Sequence, residues 1–408
     1  MKQFSAIDYL AIDIANHAGF DKKNFEDRIQ WVRDNFNTLE AQEVPEPYLY
    51  KKAVMAFRRA LKGLPIGHMV ALDSVASGMQ LMSVMTGCVN GCTITGLVDP
   101  DTRMDAYTEI TKAMNALQPG LEPVSRSDIK NATMCGLYGS KAVPKRVFPE
   151  EKTLELFYKA LDEQCGGALW LLHVLIQAWN KSSKHHSWTM PDGFEVYIPN
   201  MVSKTSRVNI TELKYTMSVE YYENDAERYG VSLPANVIHS ADSFVLRSLV
   251  RRCNYDRKKL LEAAEIIELE LMERHVLYTE AKPETHPQVI KYSELWRKSQ
   301  MVDLVFVNHI NQETVSEVNS ILLRKLNLLI SEVLAYEPFE VVTVHDAFMC
   351  HPNHCNRMRY WYKEILAELA ESHTLRFILS QLMDDPELVF EPTAPVSHLI
   401  RNSDYGIC

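Results

Sequence analysis

No stretch of this chain is apolar for long enough to span a bilayer. The longest such run, residues 166–179, is interrupted by His173 and Gln177 and reads as a buried helix. The opening Met1-Lys2-Gln3-Phe4-Ser5 lacks the basic-then-apolar pattern of a secretory signal. Glycine (15) and proline (18) are sparse in 408 residues, so long flexible linkers are not expected. There is no internal repeat and no low-complexity segment. The eight cysteines are scattered through apolar or helical sequence, which predicts free thiols in a reducing cytoplasm. Cations are outnumbered 43 to 53, a net charge of −10. That argues against a protein that coats nucleic acid generically, while leaving room for a local basic cleft on an acidic body. The remainder is ordinary globular usage, 46% hydrophobic and 24% charged, at a length that allows roughly two or three domains.

The pattern is mostly helical. Residues 24–37 place Phe25, Ile29, Val32 and Phe36 on one face, and a second helix is expected around Lys51 to Leu61 after the Pro45-Glu46-Pro47 break. Met69-Val-Ala-Leu-Asp73 is a short apolar run ending in an acid, the pattern of a strand that delivers a carboxylate. Helices are predicted over 101–117, from a Ser125-Arg-Ser-Asp128 cap to Tyr138-Gly139, over 150–178, 241–252, 260–278 and 316–335, and from Pro352 onward. A break is predicted at 121–124. The turn around Pro191-Asp192-Gly193 suggests a hairpin, residues 208–222 alternate like strand, and 339–344 reads as a strand leading to His345-Asp346. Helices with a few short strands give an α+β fold class.

Three signals carry chemistry. The first is Asp73-Ser74-Val-Ala-Ser77-Gly78-Met-Gln80. The second is Arg126, Lys130, Met134 and Tyr138 followed by Gly139. The third is Val344-His345-Asp346-Ala347-Phe348. Residues four apart share a helical face, so the second signal is a stripe with two cations at a helix start, suited to polyphosphate. Two aspartates at strand ends can hold a pair of Mg²⁺ ions for phosphoryl displacement. Taken singly, each aspartate also fits a cap or turn, and the stripe also fits a solvated basic patch. Their order is more specific than any of them alone.

That order resembles polymerase motifs A (Asp73), B (Arg126 to Gly139) and C (His345-Asp346), in the form found in the single-subunit RNA polymerases of phages and mitochondria. The four fixed residues of motif B would match by chance in such a chain well under ~1% of the time. Asn16-His-Ala-Gly19-Phe-Asp21-Lys22, Trp188-x2-Pro191-Asp192-Gly193-Phe194, Pro234-Ala-Asn236-Val-Ile-His239-Ser240-Ala-Asp242 and the terminal Ser403-Asp404-Tyr405-Gly-Ile-Cys408 are similar to further segments of that family. The resemblance begins near Tyr9 and has no counterpart of the family's N-terminal domain or usual thumb. In this the chain looks like the larger, catalytic subunit of the heterodimeric RNA polymerase of enquatrovirus-type podophages.

The resemblance implies a right-hand palm and fingers, largely helical with a small antiparallel palm sheet. Residues 1–98 would be the N-terminal part of the palm with motif A, 99–240 the fingers with motif B and the specificity-loop region, and 241–408 the C-terminal part of the palm with motif C. A helical insertion at about 254–320 departs from the family. So do Val143-Pro144, where the family has an aromatic residue soon after motif B, and Ser74 after the motif A aspartate. The implied activity is DNA-directed RNA synthesis from rNTPs for phage genes, in the host cytoplasm, with no membrane association. Asp73 and Asp346 would hold two Mg²⁺ ions, with a backbone contact from Ser74. Arg126, Lys130 and Lys22 would bind triphosphate, and Lys130 would protonate pyrophosphate. Tyr138 would sense the ribose 2′-OH, oriented by His239, with Met134 and Gly139 beside it. The implied partners are a smaller subunit supplying the N-terminal domain and thumb functions, the DNA template and RNA product, and a single-stranded-DNA-binding activator. The absence of Glu between Asp73 and Gln80, together with His-Asp-Ala-Phe at motif C, points to RNA as product. A DNA polymerase or primase of the same fold, or a non-catalytic nucleic-acid-binding subunit, are the alternatives.

Other features read as structural. Cys350-His351-Pro-Asn-His354-Cys355 is too tightly spaced to wrap one tetrahedral zinc. Cys88 and Cys92 read as packing. Lys184-His185-His186, Arg251-Arg252 and Arg257-Lys258-Lys259 are expected on solvated faces.

Overall fold

The computed structural model describes residues 1–119 and 122–408. The predicted break at 121–124 therefore begins outside the described residues. The fold is α+β, with many helices around small antiparallel sheets. The strands are β1 (Val70–Asp73), β2 (His185–Thr189), β3 (Glu195–Pro199), β4 (Met201–Ile210), β5 (Tyr215–Asn224), β6 (Val342–Val344) and β7 (Ala347–Cys350).

The central sheet has the order β1-β7-β6, all antiparallel. It draws its strands from opposite ends of the sequence. In β1 the buried Val70 and Leu72 alternate with Ala71, and the strand ends on the exposed Asp73, as the period-2 pattern requires. β6 and β7 form a hairpin in which Val344 faces Ala347 across the two residues His345-Asp346. The other edge of β1 is covered by the chain end: the Asp73 N–H donates to the Cys408 carbonyl (3.2 Å) and the Cys408 N–H donates back (2.9 Å). That short sheet has no exposed edge at the acidic end of β1.

Helices α1 (Ala6–Ala15), α2 (Phe25–Asp34) and α3 (Pro47–Leu61) precede β1, with α1 buried from Tyr9 to Ala15. After β1 come α4 (Ser77–Thr86), α5 (Val89–Ile94), α6 (Ala106–Leu117), α7 (Arg126–Leu137), α8 (Ala142–Val147) and the long α9 (Glu151–Gln177), which breaks helical geometry at Cys165. Next, β2–β3 and the exposed ribbon β4–β5 lead into α10 (Leu233–Cys253). Then come α11 (Arg257–Leu277), α12 (Pro287–Ser299) and α13 (Ser320–Leu334), followed after β7 by α14 (Cys355–Glu371), α15 (Thr374–Leu382) and α16 (Ser397–Asn402). Helices α4, α10 and α14 pack on one another, α1 packs on β1, and Tyr362 of α14 meets Phe348 of β7, while α9 joins α4 to α6 and α7. No helix among the described residues is long and apolar enough to cross a membrane.

Several boundaries differ from expectation. The helix expected over 101–117 starts at Ala106, because the Asp99 carboxylate accepts the Asp101 N–H (2.7 Å) and Thr102 N–H (3.2 Å) in a local turn. The strand expected over 339–344 starts at Val342, because the Phe339 N–H is drawn to the Cys253 carbonyl (2.8 Å). The run 208–222 is two strands joined by Thr211–Leu213, and the helix expected over 316–335 begins at Ser320 after a short turn at Val315–Glu317.

Candidate active site

The register of β1 against β7 sets Asp73 opposite Ala347, so the His345-Asp346 loop lies beside the end of β1. Ser74 fastens the two together: its N–H donates to the Asp346 carbonyl (3.2 Å) and its Oγ donates to Asp346 Oδ2 (3.1 Å). Both segments carry left-handed backbone on residues with a Cβ, at Ala76 (φ 55) and His345 (φ 53). Such geometry costs of order 1–3 kcal/mol and concentrates at functional sites.

The charges at this point are poorly offset. Burial first, and the charge of Asp346 second, push Asp73 up to about 6, with Arg103 as a partial counterweight. Burial and Asp346 likewise push Asp242, on α10, up to about 6, and His345 opposes them. Beneath the acids the Tyr362 hydroxyl donates to Gln80 Oε1 (2.9 Å). Gln80 in turn donates to the carbonyls of Thr95 and Gly406, both at 2.8 Å. The motif A glutamine is thus the fully buried tie between α4 and the chain end.

Helix α7 meets this point at its C-terminal end. Ser125 caps it, accepting the Asp128 N–H at 3.2 Å. Tyr138 follows its last turn, with its ring stacked on His239 (centroids 5.2 Å apart, planes at 13°). Its hydroxyl lies over Gly78, where a Cβ would sit 2.2 Å from it, so a side chain there would displace the phenol. Burial, then the charges of Asp242 and Asp346, push the phenol up to about 12. It is therefore a protonated donor at neutral pH. Gly139 has φ +97 and its Cβ would lie 2.7 Å from the Val231 carbonyl. A recess of about 130 Å³ is lined by Ala76, Gly78, Tyr107, Met134, Tyr138 and Asp346. Residues of all three sequence signals therefore share one cavity.

The rest of the stripe is less uniform than its spacing suggests. Arg126 is held by Asp105 in a fork, Nε to Oδ2 at 2.5 Å and Nη2 to Oδ1 at 2.9 Å, and lies over the Tyr107 ring. Lys130 is exposed and has no salt bridge among the described residues, and Met134 is exposed beyond it. Lys22 is exposed and pairs with Asp21 (3.1 Å). The charge of Asp21 is felt at both Asp73 and Arg126, which places that loop at the rim.

Sequence reasoning did not single out Asp242, Asp105 or Arg103 as site residues. Asp242 was recoverable, since it sits three residues past His239 on the same helix. Asp105 and Arg103 fall at the start of the helix expected over 101–117, but they lie in the loop before Ala106.

Three expectations outside the site are corrected. His186 is not solvated: it is buried, accepts the Asn180 N–H on Nε2 (3.1 Å) and packs on Trp179. Arg251 and Arg252 are not a solvated pair: Arg251 reaches Asp192 and Asp303, and Arg252 is fully buried against Glu368. Arg257 caps α13 through the carbonyls of Leu334 and Tyr336. In the Cys350–Cys355 segment the two sulfurs lie 3.6 Å apart and buried, while His354 stacks on Phe339.

No group of three or more His, Cys, Asp or Glu side chains arranged to hold a metal occurs among the described residues. Mg²⁺, however, keeps several waters and takes only one or two protein carboxylates plus substrate phosphate. Two adjacent carboxylates, one of them raised first by burial and then by the charge of the other, fit such an ion. Comparison with known protein families and with curated proteins finds no match to this chain.

Proposed function

We propose that this chain is the catalytic subunit of a DNA-directed RNA polymerase, with the β1-β7-β6 sheet as palm and α7 as the fingers helix. The observation that carries the reading is the pairing of β1 with β7. It puts Asp73 beside Asp346, which is itself a wall of the recess under Tyr138.

Asp73 and Asp346, with the Ser74 carbonyl, are the residues that would hold Mg²⁺. Bound there, the metal supplies acidity to the RNA 3′-hydroxyl and screens the triphosphate. Lys130, exposed and without a salt bridge among the described residues, meets the phosphates and gives its proton to the leaving pyrophosphate. Arg126 joins it on exchanging Asp105 for phosphate, since both present the oxygens its planar fork accepts. Lys22 adds a cation at the rim. Tyr138 donates its hydroxyl to the ribose 2′-OH, and the stacked His239 fixes its plane. Met134 and Gly139 give the incoming nucleotide a surface without further charge. Template sequence is copied by base pairing. A smaller partner subunit and a single-stranded-DNA-binding activator would assist duplex opening. The exposed β4–β5 ribbon lies in the specificity-loop region.

The test is extension of a primed RNA–DNA scaffold with Mg²⁺ and either rNTPs or dNTPs, with and without a co-encoded small protein. Extension with rNTPs, abolished by Asp346→Asn, is the expected result. Extension with dNTPs would instead indicate a DNA polymerase. Silence with every partner would indicate a non-catalytic subunit.

A further inference from the structure

Helix α3 carries a face that the proposed chemistry does not use. Tyr48, Lys51 or Lys52, Met55, Arg59 and Lys62 recur at helical spacing of three or four residues, with Lys51 and Lys52 side by side, and form a single stripe with Lys62 at the C-cap. All six are exposed, with the Tyr48 side chain almost wholly so at 89% and Met55 at 59%. The opposite face buries Tyr50, Ala53, Val54 and Phe57 against the core and the buried α1. Residues 47–72 hold five Lys or Arg and no Asp or Glu, in a chain whose net charge is −10. Of these five cations only Arg58, off the stripe, has an acidic partner among the described residues: it is held by Glu40. Arg59 donates to the Pro65 carbonyl (3.1 Å), which folds the return segment back onto the helix. A recess of about 460 Å³ opens between that segment and the stripe.

We infer that this face binds single-stranded nucleic acid, with the Tyr48 ring stacking on a base at the recess and Lys51, Lys52, Arg59 and Lys62 meeting successive phosphates. The charge is of the right sign and is locally unopposed. The cations extend over roughly 16 Å of helix, room for several consecutive phosphates. Basic side chains that track a backbone beside an exposed aromatic platform are what sequence-tolerant single-strand binding uses. A concave recess favours a flexible strand over a flat anionic membrane. A duplex keeps its bases stacked inside and could not offer one to Tyr48. The return segment runs directly into β1, so the face lies at the opposite end of that strand from Asp73. In the polymerase reading, on which this choice of strand rests, template or product leaving the site would pass over it.

The experiment is fluorescence anisotropy of the full chain with a labelled single-stranded oligonucleotide across a salt series. The variants are Lys51→Gln/Lys52→Gln/Arg59→Gln/Lys62→Gln, Tyr48→Ala, and Lys152→Gln/Lys258→Gln as a surface control, each checked for an unchanged thermal midpoint. At about 0.7 per neutralised phosphate on a single strand, the fourfold variant should flatten the log–log salt slope by about 2–3. Tyr48→Ala should weaken binding about tenfold at every salt concentration. The control should change neither. A slope that the fourfold variant leaves unchanged would overturn the assignment. So would a loss of affinity for anionic vesicles with oligonucleotide binding intact. Primer extension on the same preparations separates the two ideas. A chain that stays inactive even with the co-encoded small protein added, yet whose binding depends on these residues, refutes the polymerase and keeps the face, whereas an active chain whose binding ignores them refutes the face alone.

Discussion

Two groups of aspartates lie within the same helical frame and are treated in opposite ways. Asp192, in the β2–β3 turn, is buried and accepts a fork from Arg247 at 2.7 and 2.9 Å and a further bond from Arg251 at 2.9 Å, which also reaches Asp303. Burial alone would raise its pKa, but the hydrogen bonds and charges of Arg247 and Arg251 hold it below the usual value. Asp73 and Asp242 are pushed up to about 6, with burial and the charge of Asp346 unopposed by any such fork. The first group is satisfied by the protein itself and holds the hairpin to α10. The second is left needing protons or cations, and the Asp346 they share as a neighbour lines a recess. An acid whose compensation is missing from the chain marks the place where something else binds.

The contrast is broken most decisively at Asp346. Asp346→Asn should lower primer extension by about 10³-fold, because it removes a proposed ligand of the metal. It should leave the unfolding midpoint in chelator unchanged or higher, since it also removes a like charge from Asp73 and Asp242. Asp192→Asn should do the reverse. Stripping a carboxylate from a buried, forked pair strands the Arg247 guanidinium and leaves Arg251 with Asp303 alone, and should cost about 3–5 kcal/mol of stability. Activity per folded molecule should stay near wild type, provided it is measured well below the lowered melting point. Denaturant titration and extension assays on both variants check the pair of outcomes together.

The same contrast predicts opposite pH signatures. Asp242 has a folded value near 6 against about 3.9 unfolded. Its contribution to stability is therefore fully present below about pH 4 and lost as pH rises through about 6. Asp192 is depressed, so its contribution is present above about pH 4 and lost as pH falls through its folded value. In chelator, Asp242→Asn should stabilise the chain by about 1 kcal/mol at about pH 7, allowing for partial exposure, and hardly at all at about pH 4.5. Denaturant midpoints at the two pH values measure it. An equal gain at both would mean that Asp242 is not raised.

How much of this could be read beforehand depends on how far each signal reaches. Local signals were sufficient for β1, whose apolar run stops at Asp73. They were sufficient too for α7, framed by Ser125 and Gly139. They failed where partners are remote. Arg251-Arg252 looks like a solvated charge run in sequence, yet its acids are 52 and 116 residues away at Asp303 and Glu368. His186 looks like part of a basic cluster but is held by the Asn180 backbone and Trp179. Asp346 was expected at a strand end and instead sits in a hairpin loop, a difference set by the positive φ of His345. The C-terminal residues Ile407 and Cys408 pair with β1, a contact that no periodicity in either segment announces.

The smallest effect concerns Arg126, which belongs to neither group of the comparison. It is a cation of the proposed phosphate stripe, yet Asp105 neutralises it much as Arg247 neutralises Asp192. The difference lies in exposure. The Arg126 side chain is 36% exposed and can swing, whereas the side chain of Asp192 is 3% exposed and cannot. A pair with one partly exposed member is worth about 1 kcal/mol, little enough for a triphosphate with several oxygens to displace the carboxylate. Asp105 then acts as a competitor that holds Arg126 in place between substrates. Asp105→Asn should lower the KM for rNTPs by about three- to tenfold, with kcat changed less. Arg126→Gln should raise KM, and the double variant should resemble Arg126→Gln alone. If Asp105→Asn instead raised KM as much as Arg126→Gln does, the fork would be the bound-state geometry, and Arg126 would be a structural residue of the same kind as Arg247.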